Sequence, residues 1–258
     1  MSGLWKNVSE NVVFVLVFLG VIIAMFLVAV LIEKLSDKKR GIKRKLFTTR
    51  MMAVTGMFSG IAVILHILEF PLPFLAPGFY ELDFSELPVM IGSFAFGPVA
   101  GVMIEFCKIL LKLMIKGTST AFVGDLANFV VGCSLLLPAS AVYEFWKCRK
   151  GAVAGCIAGI ICMTAFGTFF NAIYLLPKFV ELYGLPSIVS IIEAGTAVNP
   201  AIKDVTTFVC LAVAPFNLIK SGIVSLITML IYKPLSPILK EGHRAVHGRK
   251  NNSENTEK

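Results

Sequence analysis

Hydrophobic residues along this chain come in long runs rather than in the alternation of a half-buried strand or the single stripe of a soluble helix. Val12 to Ile32 contains no charge. A bilayer core about 30 Å thick takes about 20 apolar residues of helix, so this run predicts a leading transmembrane helix. A signal peptide is the other reading. The run is longer than a usual signal core, lacks a basic start and is followed by no small-x-small cleavage site, so a retained helix is expected. Six further spans follow: about Met51 to Phe70, two within Leu82 to Ile115 broken at Gly97-Pro98, Phe122 to Trp146, Ala152 to Leu176, and Val205 to Tyr232. Proline removes a helix hydrogen bond, which places the break. Within Pro177 to Asp204, Ser187 to Ile192 is expected as a short interfacial helix. The pattern predicts an all-α polytopic membrane protein. It has an extra N-terminal transmembrane helix over 1–33, a basic linker over 34–47, a six-helix membrane domain over 48–233 and a polar basic tail over 234–258.

Composition agrees and charge adds orientation. Apolar residues make up 57% of the chain and charged residues only 16%, too few for the polar skin of a soluble domain, which needs about 25%. The net charge of +8 would point to nucleic acid in a soluble protein, but here no soluble domain is left to present it. The basic residues cluster instead. Lys34 to Arg50, the Lys147 to Lys150 turn and the stretch from Lys233 on hold 17 of the 24 Lys and Arg. The loop carrying Glu69, Glu81, Asp83 and Glu86 has none. By the positive-inside rule the basic pieces and the C-terminus are cytoplasmic and the acidic loop faces out. Six cysteines without a C-x-x-C, and His243 and His247 in a charged tail, make no metal or disulfide framework. There is no P-loop, H-E-x-x-H or G-x-S-x-G motif, and no inverted repeat of broken spans.

Ionisable and amide groups inside apolar spans are costly and mark function by default. Three clusters qualify. Glu105, Lys108 and Lys112 share one helix face by spacing, either as a polar seam or as a substrate path. Asn128 lies a turn past the plausible caps Thr120 and Gly124. Asn217 and Lys220 share a face behind Pro215, and Lys220 lies about 18 Å from the helix end at Tyr232, too deep to snorkel. It needs a ligand or a buried pair with Asp125 or Asp204. The Phe70 to Phe79 loop, aromatic and stiffened by Pro71, Pro73 and Pro77, reads as a preshaped lid or as a packed turn. Ala53, Gly56 and Gly60 form a small-residue face suited to close helix contact. Gly97/Gly101 and Gly151/Gly155/Gly159 repeat the pattern.

Several of these segments together resemble the riboflavin-specific S components of bacterial energy-coupling-factor (ECF) transporters. The similarity runs from about Thr48 to Lys233. It is carried by Phe70-Pro71-Leu72-Pro73, Leu82 to Pro88, Phe96 to Gly101, Gly124 to Phe129, Asn199-Pro200-Ala201-Ile202 and Pro215 to Lys220. Asp125 stands where the family commonly has Glu. The resemblance implies a six-helix S-component bundle with a vitamin site on the outer side. Asn128, Asn217 and Lys220 would contact the flavin beneath the outer loop. Amide and ammonium donors suit the carbonyl edge of the isoalloxazine ring, and Phe74, Phe79 and Phe129 are candidates for apolar contact. The implied partners are a transmembrane T subunit and two ATPases, met through Ala53, Gly56 and Gly60. Riboflavin is cargo, no cofactor is expected, and the chain is not expected to be an enzyme. The competing readings are an S component for thiamine or biotin, a membrane enzyme using Glu105, Lys108 and Lys112, and an assembly protein.

Overall fold

The structure is a computed structural model and describes residues 12–41, 47–118 and 120–232, with side chains from Leu16 onward. The expected tail, 234–258, and Lys43, Arg44 and Lys45 of the expected linker lie outside these residues. Among the described residues the chain forms helices α1 (Val12–Arg40), α2 (Thr49–Ile67), α3 (Glu86–Phe96), α4 (Pro98–Ile115) and α5 (Val123–Phe145). Then come α6 (Arg149–Leu182), α7 (Val189–Val198) and α8 (Val205–Tyr232). Between α2 and α3 a small antiparallel hairpin pairs β1 (Phe70–Pro71) with β2 (Glu81–Leu82). It is an all-α membrane fold: α1, α2, α5, α6 and α8 are long and apolar enough to cross a bilayer.

The Gly97-Pro98 break falls where expected. Gly97 has φ 104°, a conformation that costs an L side chain dearly. Pro98 then opens α4 at the one place where its missing N–H is harmless. The span before the break is shorter than expected. It starts at Glu86, not Leu82, because Leu82 is held in the hairpin opposite Phe70. The span expected to end at Leu176 instead runs on to Leu182 through a π-helical turn at Asn171–Leu175. A second π turn, Val209–Val213, interrupts α8. The short interfacial helix appears as α7, shifted to Val189–Val198.

Helix contacts follow the small residues along α6. A Cβ at Gly155 would sit 2.4 Å from the Ala139 carbonyl oxygen, and one at Gly159 would sit 2.6 Å from that of Leu135. The two backbones therefore approach as closely as only glycine permits. The α2 stripe behaves differently. Ala53 and Gly56 are exposed, and a Cβ at Gly56 or Gly60 would meet nothing within 4 Å.

The leading helix departs most from expectation. A helix with no charge between Val12 and Ile32 gives no sign of which side is packed, and one face is seated against α4 and α5. Phe18 meets Phe129 edge-on, with ring centroids 6.2 Å apart, and Ala29 is buried. The helix also runs past Ile32 to Arg40, through the start of the expected linker, because its last turns have partners. Glu33 accepts a hydrogen bond from the Val99 amide at 3.0 Å. Ser36 donates to the Glu144 carbonyl at 3.0 Å, and Arg40 reaches the Glu144 carboxylate at 3.7 Å. Val99 lies in the first turn of α4, where helix N–H groups lack partners, so Glu33 closes one end of a neighbouring helix.

Candidate functional site

The polar groups that the apolar runs could not explain converge at one end of the bundle, beneath the hairpin. Helix α4 brings in Glu105, Lys108 and Lys112, α5 brings Asp125 and Asn128, α8 brings Asn217 and Lys220, and the end of the hairpin brings Asp83, Ser85 and Glu86. Asp83, Glu86, Glu105 and Lys108 are almost wholly buried. A buried charge persists only if it is paired, and each of these has found a partner.

Lys220 donates to Asp83 Oδ2 at 2.7 Å. Asp83 Oδ1 accepts from the Ser85 amide at 2.8 Å, and its other oxygen lies 3.7 Å from His66 Nδ1. Burial opposes ionisation of Asp83, yet the Lys220 ammonium and His66 hold its carboxyl well below the usual carboxylate range. Lys220 is therefore paired, but with neither carboxylate expected from the sequence. Asp125 is taken by Lys112 at 2.6 Å. Asp204 caps α8, accepting from the Thr207 amide at 2.7 Å. Asp83 was missed because one acid among four in an outer loop looks like a solvated charge. Its burial follows from the hairpin folding back over the bundle.

Lys108 is the centre of the second half of the network. Its ammonium donates to Glu86 Oε1 at 2.9 Å and to Ser85 Oγ at 3.1 Å, lies 2.7 Å from Glu105 Oε1, and reaches Asn128 Oδ1 at 3.4 Å. Glu105, Lys108 and Lys112 thus do share a face, and they pair inside the bundle as a polar seam. Gly132 on α5 makes room for the carboxylates: a Cβ there would be 2.6 Å from Glu105 Oε1.

Asn128 and Lys220 are joined through this network by way of Ser85 and Asp83. Asn217, buried one turn before Lys220, stands apart from it. It packs on α6, where a Cβ at Gly167 would lie 2.6 Å from its Nδ2. Next to Gly167 is a group that the sequence reading did not single out. Tyr80 of the hairpin loop donates to Asn171 Oδ1 at 2.6 Å, and Asn171 Nδ2 donates to the Gly167 carbonyl at 2.7 Å. The Tyr80 ring lies among Phe79, Phe208 and Phe216, between the two π turns. Such turns occur often at functional sites.

The aromatic candidates separate. Phe74 is 75% exposed on the hairpin loop and Phe79 is 42% exposed, with the Phe79 ring against Tyr80 and Phe179. Phe129 is fully buried against Phe18 of α1, so its ring builds the α1–α5 interface. Among the described residues no group of His, Cys, Asp and Glu is arranged to hold a metal ion.

A bundle of apolar helices with a buried, internally paired polar cluster under an end loop defines a polytopic membrane protein. Comparison with known proteins narrows the class. The family model described as "ECF transporter, substrate-specific component" matches residues 50–232. The chain belongs to that family, whose members are transporter components and not enzymes. It is 31% identical over 191 residues to the riboflavin transporter RibU of Staphylococcus aureus (strain TCH60), covering 74% of this chain and 93% of that one. It is 29% identical over 201 residues to the riboflavin transporter FmnP of Bacillus subtilis (strain 168), covering 77% and 97%. A solved structure of the S component of a bacterial ECF transporter shares 34% identity with a TM-score of 0.57, covering 74% of this chain and 97% of that one. The leading helix lies outside the family match.

Proposed function

We propose that this chain captures riboflavin for an ECF-type importer, holding it beneath the outer hairpin with Asn128, Asn217 and Lys220 while Phe74 and Phe79 cover it. The observation that carries this reading is the buried Lys220–Asp83–Ser85–Lys108–Asn128 network, which puts two of the three candidate contacts into one polar cluster under the hairpin. Relatives named as riboflavin transporters support the choice of vitamin. Lys220 spends one N–H on Asp83, and an ammonium carries three. Asn128 turns its carbonyl oxygen to Lys108, which leaves its NH2 to donate. A donor-rich site fits the carbonyl edge of a flavin. It disfavours thiamine, whose thiazolium ring carries a positive charge toward Lys220, and biotin, whose ureido group offers a single carbonyl.

Transport in this reading is driven by an ATP-hydrolysing module of one transmembrane T subunit and two ATPase subunits. The module docks on the uncovered Ala53, Gly56 and Gly60 face of α2, and the C-terminus lies in the cytoplasm with the basic pieces. The test is direct. Protein purified from a flavin-containing medium should carry a flavin absorption spectrum, and titration of the stripped protein should quench riboflavin fluorescence without ATP. A colourless protein that leaves riboflavin fluorescence unchanged but binds thiamine or biotin would move the assignment to another vitamin.

A further inference from the structure

At the end of the bundle away from Asp83 and Asn128, a cavity of about 700 Å³ opens between the start of α6 and the last turns of α8. Its walls are apolar along Ile157 and Leu226, and Lys147 and Arg149 stand at its mouth. This end is also where α1 finishes in Lys38, Lys39 and Arg40. Glu144, a buried acid in this region, is engaged by Arg40 and Lys147, whereas Arg149 is exposed. Trp146, 63% exposed, sits in the same turn, and exposed tryptophans at the ends of spanning helices favour the headgroup region. A greasy slot between two spanning helices, lined at one end by Lys147 and Arg149, matches one kind of molecule: an acyl chain carrying a negative headgroup. Basic pockets between spanning helices hold anionic lipid headgroups in this manner.

We infer that the slot between α6 and α8 binds an anionic phospholipid, its phosphate on Arg149 and one acyl chain along Ile157 and Leu226. The lipid fills the slot beside the side-chain contact between Cys156 of α6 and Ser225 of α8.

The test uses the full chain in detergent, melted with increasing phosphatidylglycerol or with phosphatidylcholine of the same acyl chains. Phosphatidylglycerol should raise the melting temperature at lower concentration than phosphatidylcholine. Arg149→Gln should raise the concentration needed by about five-fold. Gly222 lines the slot, and a Cβ there would meet nothing within 4 Å. Gly222→Phe should therefore fold, occupy the slot and abolish the lipid response, with riboflavin affinity as the check on folding. Equal responses to the two lipids would overturn the inference. So would a shift by inorganic phosphate alone matching that of phosphatidylglycerol, or an undiminished lipid response in folded Gly222→Phe.

Discussion

Removing the Lys220 ammonium tests the proposed site and the fold together, because the same group serves both. In Lys220→Met, Asp83 stays buried at 1% exposure with the Ser85 amide and His66 as its remaining partners. Breaking a buried ion pair from one side costs about 3–5 kcal/mol. The two surviving contacts favour the lower end, about 3 kcal/mol. Any lost bond to a flavin carbonyl comes on top, at about 1.5–3 kcal/mol for a charged donor, or about 10- to 160-fold in Kd. The single variant mixes these terms. Adding Asp83→Asn separates them: replacing both partners of a buried pair by neutral groups is often nearly neutral in stability. The double variant should therefore recover most of the melting temperature lost by Lys220→Met yet keep the weakened riboflavin affinity. Thermal melting in detergent reads the first quantity and fluorescence quenching the second. A double variant that binds riboflavin like the parent would remove Lys220 from the ligand site. A Lys220→Met protein as stable as the parent would show that the Asp83 pair holds nothing together.

A truncation and two substitutions probe neighbouring parts of the molecule. Starting the chain at Lys45 deletes Glu33 and Ser36, strips a partner from the Val99 amide, and should lower stability by about 1–3 kcal/mol for the orphaned buried donor while leaving riboflavin affinity intact. A melting curve unchanged by this truncation would mean that α1 is idle. Tyr80→Phe loses the bond to Asn171, worth about 0.5–1.5 kcal/mol, and should speed riboflavin dissociation in stopped-flow fluorescence; an unchanged off-rate would separate the hairpin from the site. Gly56→Leu adds bulk to a face that touches nothing in the isolated chain, so binding should persist while uptake into vesicles containing the energising module fails, and normal uptake would clear α2 of the docking role.

The spans were legible because run length and hydropathy are properties of consecutive residues, and the Gly97-Pro98 break because the two residues act locally. What escaped depended on distant contacts. The π turns at Asn171–Leu175 and Val209–Val213 add a residue to a helical turn, a choice made by the packing around Tyr80 and not by the intrinsic preference of either segment. The docked face of α1 was present in the sequence: Ala29, Glu33 and Ser36 recur at helical spacing. In a helix apolar all round, however, a buried stripe and a lipid-facing one look alike, and Glu33 stood at the last position of the expected helix, beside the basic linker. The candidate ligand residues were legible for the opposite reason. Asn128, Asn217 and Lys220 stand out against apolar neighbours, whereas Asp83 and Tyr80 lie in a loop where polar and aromatic residues attract no notice.

The seam on α4 explains why the interior charges and the proposed ligand contacts occupy the same end. Lys108 has three N–H groups and four oxygens within reach, from Glu86, Ser85, Glu105 and Asn128. It cannot serve all four at full strength, and the longest contact, 3.4 Å, is the one to Asn128. That weak bond still suffices to orient the amide, since the alternative rotamer would aim NH2 at an ammonium. Asn128 is thereby fixed with its donors outward before any ligand arrives, at little loss when the ligand pulls on them. Lys220 is treated in the same manner by Asp83, which orients one N–H and leaves the others. A fold that must bury charges in an apolar bundle has to pair them. Here the pairing also sets the direction of the donors, so positioning of the proposed ligand groups follows from the same contacts that make their burial tolerable.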